Sequence, residues 1–373
     1  MLVFANEFSY SDPLNIIFLC GAQYLKRGGK KPREKRDILK KYLESTLERT
    51  NVIILEENFC FGKTTKNYLS YDDVFLKNLA QVEQLASLYA NKIIIIHETI
   101  STAAEIGMFA INPTLSSKMC LLTPDDFSIE EEKVSGFIKL AFMNRETPES
   151  NIKKRIVFYP DIEVKRYSQY KSEYHTFFHN DEIGENLGNE ITAFAKLNNV
   201  NKQVIFGSCS YGKPRLDSQI VNYHIDVETG AINVFVHIEA LKIQLLSLFY
   251  LNDFKNEIHK SKHIKEHVKF ICEKYKEILK NTAAYLAGVE TNTFEIKVEL
   301  KNSVCDLWQA VGYYLYILQA IQLVKMVQSG DNADERCIEP TQFLKVYEKE
   351  IKAMISIKKD TAFGRLSHEH TTS

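Results

Sequence analysis

A chain of 373 residues exceeds the roughly 250 that one core ordinarily holds, so two domains, or one with a large extension, are expected. With 45% hydrophobic and 25% charged residues and a mean hydropathy of -0.22, the composition excludes a disordered or fibrous chain. A formal net charge of -1 excludes any global pull toward nucleic acid and leaves only local patches for that role.

The opening stretch, MLVFANEFSYSDPLN, has neither the basic start nor the apolar stretch of a signal peptide. No run reaches the roughly 18 apolar residues of a membrane helix. A cytoplasmic protein without a membrane partner is expected. The seven cysteines are scattered singly, with no C-x-x-C pair, which favours reduced thiols in apolar runs and gives no metal set and no cofactor.

In chain order, NIIFLC (15–20) is a short continuous apolar run ahead of Gly21, as in a strand buried on both faces. A Gly-rich basic loop follows and runs into a helix near Pro32, with Ile38, Leu39, Tyr42 and Leu43 at helical spacing. NVIILEE (51–57) is a second strand, 71–90 a helix, KIIIIHE (92–98) the strongest strand, and SKMCLLTP (117–124) a fourth. A helix is expected to start near Ser101 or Thr102. Alternating strands and helices predict a Rossmann-like or flavodoxin-like α/β domain, a parallel sheet with helices on both faces. Ligands of such sheets bind beyond the carboxyl ends of the strands. A loose boundary near 160 divides this domain (1–160) from a mostly helical α+β region (161–373). RIVFYPD, just before it, reads either as a last edge strand or as the start of the next unit. Residues 165–200 are expected to be helical, KQVIFGSCSYGK a strand, and the stretch turning at ETGA a hairpin. Residues 239–285 and 303–328 are expected to be helical.

Glu105 lies in HETISTAAEIG, where the isoleucine strand gives way to a helix. Two readings fit. STAAE matches a capping box, in which the Glu merely bonds back to the first helical turn. Alternatively, Glu105 and Glu98, seven residues apart, turn toward one cleft at the strand tip, and paired carboxylates are the usual equipment for glycosidic bond chemistry.

IIFLCG, VEQLASLYANKIIIIHE and ETISTAAEIGMFA together resemble the nucleoside deoxyribosyltransferase-like domains, most closely the N-glycosidase effectors paired with reverse transcriptases in bacterial retron anti-phage systems. The resemblance covers about residues 15–145. It implies that Glu105, followed by Ile106 and Gly107, is the nucleophile toward an anomeric carbon. It also implies that Glu98 starts the active loop, that Glu83 lines the same pocket, that Cys20 and Gly21 form its floor, and that Glu56 stands at the tip of the second strand. In this sequence the loop before the Glu is TISTAA rather than Pro-Gly-Ser-like, and Asn91 replaces an Asp common before the central strand. The hydroxyls of Thr99, Ser101 and Thr102 would bond the ribose. The implied function is cleavage of the base–sugar bond of NAD or a (deoxy)nucleotide by a toxic effector held in check by a reverse transcriptase and its RNA–DNA partner. The alternatives are a non-catalytic nucleotide sensor that controls assembly and a nucleic-acid-binding scaffold.

KRGGKKPREKR (26–36) holds seven basic residues, which fits either a solvated loop or a grip on phosphate. No P-loop or G-x-G-x-x-G pattern accompanies it. His259, His263 and His267 at intervals of four span about 12 Å of helix, too far for one ion, and read as a solvated face. The aromatic stretch 307–324 reads as a core helix or a contact between copies in a homo-oligomer.

Overall fold

The computed structural model describes residues 1–10, 14–21, 35–54, 76, 78–97, 100–125, 142, 155–164, 173–176, 182–197, 203–210, 220–288, 293–301, 303–328 and 335–358. They form two compact units, one of Leu14–Asn58 with Leu85–Val200, the other of Met1–Pro13, Phe59–Gln84 and Asn201–Ser373.

The chain begins with two short strands, β1 (Leu2–Phe4) and β2 (Glu7–Tyr10). Then come β3 (Asn15–Gly21), α1 (Lys35–Thr46), β4 (Thr50–Ile53), α2 (Leu79–Tyr89), β5 (Lys92–Ile96), α3 (Ile100–Ala110), α4 (Pro113–Ser116) and β6 (Met119–Asp125). The α/β region closes with β7 (Ile156–Val164), β8 (Glu173–Thr176) and α5 (Glu185–Lys196). Its sheet runs in the order β4-β3-β5-β6-β7-β8, parallel through β7 and antiparallel only at β8. This is the flavodoxin-like order, with the switch point between β3 and β5. β-Branched runs buried on both faces explain the parallel pairing, since neither face can be left to water. On one face Ile17, Leu19, Ile94, Ile96 and Leu122 pack against Leu39 and Leu43 of α1 and Ile191 and Phe194 of α5. The other face is the one against which α3 packs, burying its Ile106 and Phe109.

At the amino end of β5, Asn91 ties the sheet together: its N–H donates to the Ile16 carbonyl at 2.8 Å, and its side-chain oxygen accepts from the Ile16 N–H at 3.1 Å. The Asn at this position is thus a clamp between strands, at the opposite end of the sheet from the strand tips where ligands bind.

RIVFYPD resolves as the fifth parallel strand, and residue 160 falls inside β7. The stretch 165–200 contains β8 as well as the expected helix.

In the other unit a five-stranded sheet has the order β12-β11-β10-β9-β2. Its strands are β9 (Gln203–Ser210), β10 (Ile220–Asp226), β11 (Ala231–Val236), β12 (Glu295–Leu300) and the N-terminal β2. The hairpin joining β10 and β11 is the one expected, its turn held by Asp226, which accepts from the N–H groups of Glu228 and Thr229. The region expected to be helical from 239 to 285 is three helices, α6 (Ile238–Leu248), α7 (Asn252–Ile258) and α8 (Ile264–Ala287). Helix α9 (Leu307–Ala320) is capped by Asp306 and buries Tyr313, Tyr314 and Tyr316. The expected helix through 328 is corrected there: β13 (Val324–Gln328) pairs with β14 (Arg336–Pro340), because alternating Val324, Met326 and Lys325 suit a half-buried ribbon. Helix α10 (Lys345–Ile351) and β15 (Ile355–Ile357) complete the unit, β15 pairing with β1. Among the described residues no helix is long and apolar enough to cross a membrane.

The histidine trio is also corrected. His259 and His263 flank the helix ends, while His267 lies inside α8, fully buried, with Nε2 2.8 Å from the Arg336 carbonyl oxygen. Helix α8 starts only at Ile264, so the three never share a solvated face. Among the described residues no group of three or more His, Cys, Asp or Glu could hold a metal ion.

A candidate active site at the carboxyl edge of the parallel sheet

The switch point brings together the end of β3, the residue after β5 and the start of α3. Gly21 pairs with Ile96, and a Cβ at Gly21 would stand 3.2 Å from the Ile96 Cβ and 3.3 Å from two carbons of Arg36. Only a glycine lets the Arg36 stem lie across the strand end so closely. Arg36 and Lys35, the last two of the seven basic residues, are buried at the first turn of α1, 2% and 4% exposed. The Lys35 ammonium donates to the Tyr159 hydroxyl at 3.0 Å and sits 4.8 Å from the ring centroid. Two buried cations thus stand at the first turn of α1, beside the end of β3 and Tyr159 of β7.

From the other side come His97 and α3. The His97 N–H donates to the Leu122 carbonyl at 2.7 Å, continuing the sheet by one residue, and its Nδ1 lies 3.0 Å from the Thr102 hydroxyl. Burial pushes the His97 imidazole below its ordinary pKa. Thr102 is 1% exposed, so this hydrogen bond pins the first turn of α3 to the end of β5. Thr123, one residue past Leu122, is equally buried, and its hydroxyl has no hydrogen-bond partner.

Helix α3 begins at Ile100, which excludes the capping-box reading of Glu105. A capping box needs the Glu at the third helical position, and Glu105 is the sixth. It lies one turn beyond Thr102, on the stripe that also buries Ile106 and Phe109, and its Oε2 oxygen is sealed from solvent. The outward stripe is a different one, with Ile100 90% and Ile111 84% exposed. The carboxylate is therefore turned toward the sheet.

Of the other residues singled out from the sequence, Cys20 and Gly21 end β3 and are buried, and Ser101 is exposed on the first turn of α3. Glu83 is half-buried on α2, on the part of that helix grouped with the other unit. Glu98, Thr99 and Glu56 lie outside the described residues, as does most of the basic loop. The structure adds His97, Thr123 and Tyr159, which sequence reasoning missed, and picks Lys35 and Arg36 out of the basic run. The rule that ligands meet the carboxyl ends of parallel strands marks Thr123 and Tyr159, whereas no local signal tells buried cations from solvated ones within one basic run.

Fold and edge together define a flavodoxin-like α/β protein with a charged, partly buried site at its switch point. The family described as STM3845 retron effector protein matches residues 32–360, across both units, and the chain belongs to that family. It is thereby a retron effector with a role in phage defence, associated with a retron reverse transcriptase and non-coding RNA. No curated protein matches the chain.

Proposed function

We propose that this edge is an N-glycosidase site and that the effector acts as a toxin by cleaving the base–sugar bond of NAD or a (deoxy)nucleotide. The observation that carries the reading is the inward aim of Glu105, with one carboxylate oxygen sealed at a switch point that also gathers Lys35 and Arg36. The resemblance of HETISTAAEIG to the nucleoside deoxyribosyltransferase-like motif supports it independently.

In this reading a Glu105 oxygen attacks C1′, the C1′–N bond breaks, and its electron pair leaves with the base; nicotinamide leaves NAD neutral, whereas the base of a (deoxy)nucleotide takes up a proton. Glu98 supplies that proton. Water then attacks the glycosyl ester, releasing the sugar and restoring the carboxylate; a second base as acceptor turns the same chemistry into transfer. Lys35 and Arg36 supply the positive field for a substrate phosphate. Thr102, held by His97, orients the turn that carries Glu105.

The test is chromatographic detection of free base from NAD and from each nucleotide, with wild type and Glu105→Gln side by side. Base release by the wild type that is lost in the variant supports the reading. Tight ligand binding without base release by the wild type reassigns the edge to sensing a nucleotide signal.

A further inference from the structure

Strand alternation at the end of β5 turns Ile96 toward α1 and α5 and His97 toward α3, the helix that carries Glu105. Two contacts fix His97 there. Its main-chain N–H is held by the Leu122 carbonyl, and Nδ1 lies 3.0 Å from the Thr102 hydroxyl. Thr102 is 1% exposed whereas His97 is only half-buried, so the ring is anchored on its Nδ1 side and open to solvent on the side of Nε2. A helical threonine commonly directs its hydroxyl hydrogen to a carbonyl of the preceding turn, which leaves the oxygen to accept from Nδ1–H. In the tautomer assigned from this pairing, Nε2 keeps its lone pair. Glu105 stands three residues after Thr102, a spacing that sets side chains about 5–6 Å apart at Cβ. One threonine thus links the imidazole to the turn that carries the carboxylate.

We propose that His97 Nε2 is the general base that activates water in the second half of the reaction, which makes water the acceptor and the effector a hydrolase. The inference rests on the N-glycosidase reading of this edge and deepens it. The Nε2 lone pair takes a proton from water as the water oxygen bonds to C1′. The bond between C1′ and the Glu105 oxygen breaks, its electron pair restores the carboxylate, and the imidazolium passes its proton to solvent. Burial holds the imidazole below its ordinary value, so the ring is neutral at pH 7 and meets the water with its lone pair free. The first half needs no such base, because Glu105 attacks as a carboxylate. Loss of Nε2 therefore spares the first half and stalls the second.

Rapid-quench chromatography follows base release from NAD and from each nucleotide by the full chain, with wild type beside His97→Asn and His97→Gln. The Asn amide takes the place of Nδ1 and can still meet Thr102, while the Gln amide reaches the place of Nε2 without its basicity. Both variants are expected to release about one base per chain in a burst and then to turn over roughly 10²–10⁴-fold more slowly than wild type. Mass spectrometry should find the sugar retained on the peptide that contains Glu105. Added azide, an anion that attacks without giving up a proton, should restore turnover and yield the glycosyl azide. A role confined to holding Thr102 would slow the burst itself and leave no adduct. Burst and steady rate falling together therefore overturn the proposal, as does a steady rate unchanged in both variants. Circular dichroism checks folding: if one variant is unfolded the other decides, and if both are, His97 is structural and the proposal falls. No base release by the wild type sinks the glycosidase reading and this inference with it, whereas base release by the wild type without a burst in the variants sinks the inference alone.

Discussion

The parallel sheet is apolar on both faces and keeps buried charged and hydroxyl groups at one edge, where Arg36 lies against Gly21 and His97 bonds Thr102. The five-stranded sheet is apolar on one face only and carries its unsatisfied groups across the other, in the rows Ser208–Asn222 and Ser210–His224. The difference follows from connectivity. Crossover helices cover both faces of a purely parallel sheet and leave the strand ends as the place for chemistry, whereas the five-stranded sheet mixes parallel and antiparallel pairs and packs one face against α8.

Substitutions at the strand edge test its side of that contrast. The largest effect is expected from Glu105→Gln, which should lower base release by roughly three orders of magnitude or more while leaving the melting temperature close to wild type. An equal loss of folding, read by circular dichroism, would break the assignment of Glu105 to chemistry. Next comes Arg36→Ala. Removing a long side chain that is 2% exposed should destabilise by about 3 kcal/mol in urea titration, since its packing and buried partners go with it. Gly21→Ala should cost about 1–3 kcal/mol, because the new Cβ meets Ile96 and the Arg36 stem at 3.2–3.3 Å. Thr102→Val preserves the shape but removes the bond to His97, and about 1 kcal/mol of stability should go with it.

Acid sharpens the comparison through the histidines. Burial holds the imidazoles of His267 and His97 below their ordinary value of 6.5. Folding therefore favours the neutral ring, and unfolding lets it take up a proton. The stabilisation is fully present above pH 6.5 and is lost as pH falls below it. Denaturation followed from pH 7.5 to 5 should show this decline, with a shallower slope in His267→Gln. The smallest effect belongs to the surface: Lys325→Ala, breaking a 2.9 Å pair with Glu339 in which both partners are exposed, should change stability by less than about 1 kcal/mol.

The parallel-sheet strands were legible because continuous runs such as Lys92–Ile96 have few other ways to be buried, and the hairpin was marked by its turn at ETGA. Glu105 could be singled out because it follows the strongest strand. Its orientation could not, since moving the helix start from Ser101 or Thr102 to Ile100 exchanges a capping role for an inward one. The sequence hid Val324–Gln328, where a half-buried strand continues the apolar texture of the helix before it.

Local pattern alone determined the α/β class, the strand tips as the place for a site, and the candidacy of Glu105, because periodicity and strand-to-helix junctions are properties of neighbouring residues. Tertiary structure decided that β1 and β2 join β15 and β9 more than 190 residues away, that two of seven basic residues are buried against Gly21 and Tyr159, and that Ser208, Ser210, Asn222 and His224 share a shielded face. Burial and register are set by which distant segments pair and pack, and that is fixed only when the whole chain has folded.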